Sequence, residues 1–386
     1  MRTFVLTSES MTAGHPDKLC DQISDAIVDA CLASDGEGGI VAECAVASGI
    51  VFLSLRHRRP LLFDAASLAR RVIRDAGYRE DADGGRTTVM IDAVHDPLLP
   101  GPEEEARVAS HMTTTFGYAC DHTPERMPYP VWAAHRLSAR LDTARKNGDG
   151  NKNGEIDWAA PDAQVQVAVR FADRRPVAIA AIALTIAGGA ETAPADLETL
   201  VRRDLISPAF ADAAIAPDEN TRLIVRSLPG RAGPRAHAGL TGRKTADDCY
   251  GAFNRHPSSA LSGKDPGRME RLAAYGARQA ALSVIAAGLA RECEVQLSYA
   301  PGDSAPLSVG ADTFGTGTVP DNEISARLVD RLDFTVSAMS DRLDLWPLPA
   351  ARDGRFFRDL ATYGHFGRSD LALPWEQTPG KLALLS

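Results

Sequence analysis

Apolar residues recur every four positions from Leu19 through Ile23 and Ile27 to Cys31, with Pro16 and Asp17 just ahead of them. Proline suits a first helical turn, where its missing N–H has no intrahelical partner, and an acid there meets the positive end of the helix dipole. Residues 16–32 are therefore expected to be helical. Residues 40–55 form a β-rich run through Val46, Ile50 and Leu53, broken at Gly49. A helix is expected over 66–76 and a short strand at Val89-Met90-Ile91. From Gln164 to Phe171 the pattern alternates, placing Val165, Val167, Val169 and Phe171 on one face. Val177 to Ile186 is almost continuously apolar, which predicts a strand buried on both faces. A helix should open at Pro194 and run to about Arg203. The longest helical pattern covers 268–291, and Glu294 to Tyr299 alternates as a further strand.

Helices and strands thus mix without a βαβ rhythm, and no Gly-x-Gly-x-x-Gly follows a strand. This predicts an α+β layered fold rather than a doubly wound parallel sheet. A chain of 386 residues is long for one core and suggests two or three packed units. Turn-forming breaks near 100–107 (Pro100-Gly101-Pro102, then Glu103 to Glu105) and near 228–234 divide it into segments 1–100, 107–230 and 231–386.

Composition narrows the chemistry. Hydrophobic residues make up 44% and charged residues 24%, an ordinary globular mix, and no apolar stretch is long enough to span a membrane. The start of the chain is too soon polar for a signal peptide, so a cytoplasmic location is expected. A net charge of -9 argues against nucleic acid or an anionic membrane as the main partner. The 6 cysteines are scattered without a Cys-x-x-Cys pair, which favours buried thiols over zinc ligands or disulfides.

Four motifs could hold chemistry. In Ser8-Glu9-Ser10-Met11-Thr12-Ala13-Gly14-His15-Pro16-Asp17-Lys18 a loop opens a helix whose free N–H groups attract anions. His15 could bond a phosphate or ribose oxygen there and Asp17 could ligate Mg²⁺, although taken alone Asp17 more simply favours the helix dipole. Gly239-Leu240-Thr241-Gly242-Arg243-Lys244 sets two cations behind glycines, suited to a polyphosphate or to a solvated basic turn. Leu261-Ser262-Gly263-Lys264-Asp265-Pro266, with Arg268 and Glu270 beyond it, resembles a phosphate loop without the Walker spacing. Tyr363-Gly364-His365-Phe366-Gly367-Arg368 with Pro374-Trp375-Glu376 reads as structural.

In this order and spacing the motifs closely resemble the methionine adenosyltransferase (S-adenosylmethionine synthetase) family. Asp21-Gln22-Ile23-Ser24-Asp25-Ala26, Phe116-Gly117-Tyr118-Ala119, Ala134-His135-Arg136-Leu137, Arg145-Lys146-Asn147-Gly148 and Cys293 to Tyr299 fill the gaps, so that the resemblance covers essentially the whole chain. It implies three similar α+β domains, and active sites shared between the subunits of a homodimer or homotetramer. It also implies a reaction in which the methionine sulfur attacks C5′ of ATP, displacing tripolyphosphate that is then hydrolysed to phosphate and pyrophosphate. By position, His15, Arg243, Lys244 and Lys264 match the family's polyphosphate and transfer residues. Asp162, Gln164, His237 and Ala260 fall at further ATP-binding positions. Asp17 and Glu270 match Mg²⁺ ligands, and Glu43 matches the residue that binds K⁺.

Departures gather in the half of the site that holds the amino acid. Ser54-Leu55-Arg56 replaces a Gly-Gly-Glu, Gly101 aligns with a Gln of the flexible lid, and Val108 to Thr113, including His111, replaces Gly-Ala-Gly-Asp-Gln-Gly. His237 stands for an Asp, Gln164 for a Lys close to the reacting centre, and Arg268 for a Lys that helps hold methionine. Loss of carboxylates and arrival of Arg56, His111 and His237 favour a less cationic acceptor than methionine, because an unmatched ion in a desolvated pocket costs several kcal/mol. A nucleotide-binding paralogue acting as a partner subunit is the other alternative. Separately, Asp149 to Asp157 follows a calcium-loop pattern but has Ala160 where the twelfth-position Glu belongs, so a solvated loop is the simpler expectation.

Overall fold

The computed structural model describes residues 2–36, 38–78, 87–105, 107–146, 156, 158–187, 194–228 and 232–378. The calcium-like loop lies almost wholly outside them. Among the described residues no helix is long and apolar enough to cross a membrane.

Three sheets organise the chain. Sheet A joins β1 (Thr3–Met11), β6 (Ala163–Ala172), β7 (Arg175–Ala187) and β8 (Arg222–Leu228) in the order β1-β6-β7-β8. Sheet B runs β4 (Thr88–His95), β3 (Ile50–His57), β2 (Ile40–Ala47), β9 (Gly239–Leu240). Sheet C runs β11 (Ser308–Asp312), β10 (Glu292–Tyr299), β5 (Thr113–Cys120). Pairs β3–β4 and β7–β8 are parallel and the others antiparallel. Each sheet takes one strand from outside the stretch of chain that supplies the rest: β1 for sheet A, β9 for sheet B, β5 for sheet C. The helices α1 (Pro16–Asp35) and α2 (Ala65–Asp75) belong with sheet B, α3 (Tyr129–Lys146) packs on β1 and β6, and α4 (Met269–Ala286) on β5 and β10. This is the expected α+β layering, three times over.

The expected elements around 16–32, 40–55, 66–76, 89–91 and 164–171 are present. The β-rich run is a hairpin turning at Ser48 and Gly49, both with positive φ. Three expectations need correction. Strand β7 is not buried on both faces: Ile179, Ile182, Leu184 and Ile186 are buried, whereas Ala181, Ala183 and Thr185 are half-exposed and Val177 is 48% exposed, because α3 covers only one side of sheet A. The helix from Pro194 ends at Leu200 and widens into a π-type turn over Val201–Ile206. The longest pattern, 268–291, stops at Ala286 because Glu292 already starts β10.

Helix α4 is buried almost all round, which takes it from amphipathic surface helix to central element. Its two arginines are fully buried and matched. Arg271 donates to Asp25 of α1 at 2.6 Å and Arg278 to Glu376 at 2.8 Å. The Tyr-Gly-His-Phe-Gly-Arg motif is structural, as expected. Tyr275 hydrogen-bonds the buried His365 at 2.9 Å and stacks on Trp375 at 3.7 Å, and Phe366 stacks on Tyr250.

Candidate active site

Helix α1 begins where three chain segments meet. His15 caps it, its Nδ1 accepting the Asp17 N–H at 3.2 Å. Two glycines let neighbours approach. A Cβ on Gly14 would sit 2.4 Å from the Pro161 carbonyl oxygen, and one on Gly239 would sit 2.2 Å from the Pro16 carbonyl oxygen. The first approach places Asp162 beside His15, and the second lays residues 239–244 along the start of the helix.

The result is one connected cluster. Asp17 Oδ1 accepts the Leu240 N–H at 3.0 Å and faces Arg243 at 3.3 Å. Lys244 pairs with Glu9 at 3.1 Å, and Glu9 also accepts Gln164 Nε2 at 2.8 Å. Asp162, buried, accepts from the Gly233 N–H at 2.9 Å and from His237 Nε2 at 2.8 Å. The rings of His15 and His237 meet edge to face, 5.3 Å between centroids. Burial lowers the His15 pKa against the pull of Asp162 and Asp17, whereas the hydrogen bond to Asp162 raises that of His237. With Nδ1 accepting, a neutral His15 bears its proton on Nε2, a donor available to an anion.

Beneath this cluster Lys18 is fully buried against Asp21, at 2.8 Å, and Asp248. Asp21 in turn accepts the Gly242 N–H at 2.7 Å, so the Gly-Leu-Thr-Gly-Arg-Lys turn is bolted to α1 from below. Glu9 and this buried network were given no role from sequence. Glu9's position inside a chemistry-bearing motif, between the buried Ser8 and Ser10 of a strand, is the signal that would have found it.

A second set gathers at the start of α4. Lys264 Nζ donates to the Ala260 carbonyl at 2.5 Å; burial lowers its pKa, opposed by the carboxylates of Glu270 and Glu43. Glu270 Oε1 lies 2.6 Å from His111 Nε2. Burial pushes the Glu270 carboxyl up, but His111 and Lys264 outweigh it and the net shift is down. Its buried Oε2 has no hydrogen-bond partner among the described residues. Arg268 is the residue just ahead of α4. The structure thus brings His15, Asp17, Asp162, Gln164, His237, Arg243 and Lys244 together, and Lys264, Glu270, Glu43, Ala260 and His111 together, as two sets.

Arg56 and Gly101 join neither set through a contact of their own. Arg56 lies on β3, more than half exposed, and pairs with Asp96 at 2.5 Å. Gly101 donates to Glu104 at 2.8 Å and packs against Arg58. Arg56 and His111 are therefore each matched by a carboxylate, so the charge reversal read from the sequence leaves no uncompensated cation at those two places.

A threefold α+β chain with cations and carboxylates converging on a helix N-terminus has a fixed-charge site suited to an anionic ligand. Family comparison makes this particular. Residues 3–96 match the S-adenosylmethionine synthetase N-terminal domain, 106–229 its central domain and 231–377 its C-terminal domain. The S-adenosylmethionine synthase of Prochlorococcus marinus (strain NATL1A) is 39% identical over 413 residues, covering 100% of this chain and 99% of that protein. The one from Synechococcus sp. (strain JA-2-3B'a(2-13)) is 40% identical over 410 residues, covering 99% and 97%. That from Trichormus variabilis (strain ATCC 29413 / PCC 7937) is 39% identical over 407 residues, covering 98% and 95%. The chain belongs to the S-adenosylmethionine synthetase family.

Proposed function

We propose that the chain is an ATP-dependent methionine adenosyltransferase. The sulfur of methionine attacks C5′ of ATP, the C5′–O bond breaks, and tripolyphosphate leaves and is hydrolysed to phosphate and pyrophosphate. A thioether is a good neutral nucleophile and needs no base. The difficulty lies in a leaving group with several negative charges, and fixed cations that meet the charge as it develops lower that barrier most. The observation behind this reading is the cluster at the start of α1, where the His15 imidazole and the Arg243 and Lys244 cations converge. The relatives' full-length similarity favours methionine over another acceptor and over a non-catalytic partner subunit, and the local pairing of Arg56 and His111 removes part of the case against methionine.

Mg²⁺ fits the residues present. Asp17 keeps Oδ2 for a ligand, while Glu270 Oε2 is a buried carboxylate oxygen with no partner among the described residues, the kind of oxygen a hard cation takes. Asp17 and Glu270 would hold Mg²⁺, which would supply charge neutralisation for the phosphates. Glu43, at an exposed position of β2 but with its pKa raised chiefly by desolvation, would hold K⁺. In the leaving-group set, His15 donates from Nε2 and orients a phosphate oxygen, Arg243 moves from Asp17 onto the polyphosphate, and Lys244 exchanges Glu9 for it. Lys264 adds a third cation from the second set.

The two sets are proposed to complete one another across a homodimer. One face of sheet B is exposed and apolar, with Phe52, Met90, Ile91 and Leu240 each more than 40% accessible. A cleft of about 340 Å³ opens there beside Glu43. The six cysteines are buried thiols outside any disulfide, in keeping with a cytoplasmic enzyme. Mass spectrometry of the purified chain incubated with ATP, L-methionine, Mg²⁺ and K⁺ tests the function. A 5′-adenosyl sulfonium product is expected, and ATP left intact under all cation conditions would refute the reading.

A further inference from the structure

His237 joins His15 and Asp162 in a triad of potential ligands. His15 comes from the cap of α1, Asp162 from the residue just ahead of β6, and His237 from two residues ahead of β9. One ligand atom from each lies within 4.8 Å of the other two, the group of His, Cys, Asp or Glu side chains among the described residues arranged to hold a metal ion. We propose that His15, Asp162 and His237 form a binding site for a borderline transition-metal dication such as Zn²⁺ or Co²⁺, separate from the Mg²⁺ ligands Asp17 and Glu270.

The donor set decides the class of ion. Two imidazoles and a carboxylate suit Zn²⁺, Co²⁺ and Ni²⁺, whereas Mg²⁺ wants oxygens in an octahedron. Ligands at about 2.0–2.1 Å from a tetrahedral zinc lie about 3.3 Å apart. The present separations, 2.8 Å between His237 Nε2 and Asp162 Oδ2 and at most 4.8 Å across the triad, bracket that value. Small side-chain rotations close the site. Three protein ligands leave a fourth position open to water or to an oxygen of a bound molecule.

The surroundings are built to hold the ligands. Asp162 is buried and fixed by the Gly233 N–H. Ligation of His15 through Nε2 would shift its proton to Nδ1, giving up the Asp17 N–H bond, and would face that proton toward Asp17 Oδ2, now 3.9 Å away, the oxygen that Mg²⁺ would take only once nucleotide is bound. A carboxylate behind a metal-bound imidazole is the usual orienting partner. Lys244 opposes a dication from nearby, but Glu9 already neutralises it at 3.1 Å. Because His15 and Asp162 also belong to the proposed nucleotide site, metal and nucleotide would compete for them. The metal site itself does not rest on adenosyl transfer and is read without substrate.

The test is titration of the nucleotide-free, metal-stripped full chain with Zn²⁺ against a colorimetric chelator, and with Co²⁺ by visible absorption, in millimolar Mg²⁺. The parent is expected to take up one Zn²⁺ per chain and to show Co²⁺ ligand-field bands. H237N and D162N should bind at least tenfold more weakly and lose the bands, while H111N, altered at the Glu270 pair, should bind like the parent. The His237 side chain is 43% exposed and Asn can still accept the Gly233 N–H at 162, so neither change threatens folding. Absence of stoichiometric Zn²⁺ uptake by the parent, or equal affinity in H237N and the parent, would overturn the proposal.

Discussion

Arg243 shows how a single side chain divides its work. Without nucleotide it rests against Asp17 at 3.3 Å, about half exposed, so the pair is worth little to stability. Its value lies in the charge it can offer a departing triphosphate. Removing one preorganised partner of a developing charge typically costs about 10²–10³ in rate. Arg243→Ala is therefore expected to lower kcat by about 10²-fold with little change in melting temperature, as steady-state assays and calorimetry would show; a fall in KM alone would contradict it. His365 represents the opposite case, a buried group with a structural role. Burial, with Arg271, Lys18 and Arg368 nearby, holds its pKa well below the ordinary value. The unfolded chain then binds a proton near pH 6.5 that the folded chain refuses, so stability is present above that pH and is lost as pH falls below it. One such group contributes a slope of about 1.4 kcal/mol per pH unit. Urea denaturation should show lower stability at pH 5.5 than at pH 7.5, with about 1.4 kcal/mol of the difference due to this one group, and His365→Gln should reduce the difference by about that much.

At the level of elements, legibility followed the burial of apolar stripes. Helix α1 could be read because Leu19, Ile23, Ile27 and Cys31 mark one face and Pro16 marks its start. Strand β1 could not, because its inward face continues from Phe4 and Leu6 into Ser8 and Ser10, and polar residues on a buried face imitate a loop. Helix α3 buries Tyr129, Val131, Leu137 and Leu141 but interleaves them with buried alanines, His135, Ser138 and Asp142, so its periodicity is faint. In the site, motif spacing singled out His15, Asp17, Arg243, Lys244 and Lys264 as candidates. Of the groups around them, Glu9 and Lys18 lie inside the first motif, but only the fold reveals their ion pairs with Lys244 and Asp248 from a distant segment. Contacts between elements also set stability. Arg271 on α4 and Asp25 on α1 are both fully buried, so Arg271→Ala would strand a buried carboxylate and cost about 3–5 kcal/mol. Denaturant melts of R271A would check this, and a loss under 1 kcal/mol would show that water or repacking replaces the guanidinium.

For the whole molecule, the interleaving of sheets matters most. Because β1, β9 and β5 each complete a sheet built mainly from another part of the chain, the three matched domains share strands rather than standing as independent units. The exposed face of sheet B is the natural place for a second copy. Phe52, Met90 and Ile91 would be buried there, and Glu43 would be carried to the shared boundary. Phe52→Asp with Met90→Asp should shift the chain from the proposed dimer to monomer by light scattering and reduce turnover at least tenfold; a monomeric variant of full activity would show that one chain suffices.

The central claim is that the bond broken in ATP joins C5′ to its oxygen. ATP labelled with ¹⁸O at that bridging oxygen distinguishes this from every phosphoryl transfer. The account predicts that after turnover with methionine the label appears in the phosphate and pyrophosphate fraction and is absent from the adenosyl product; label retained on the nucleoside would contradict it.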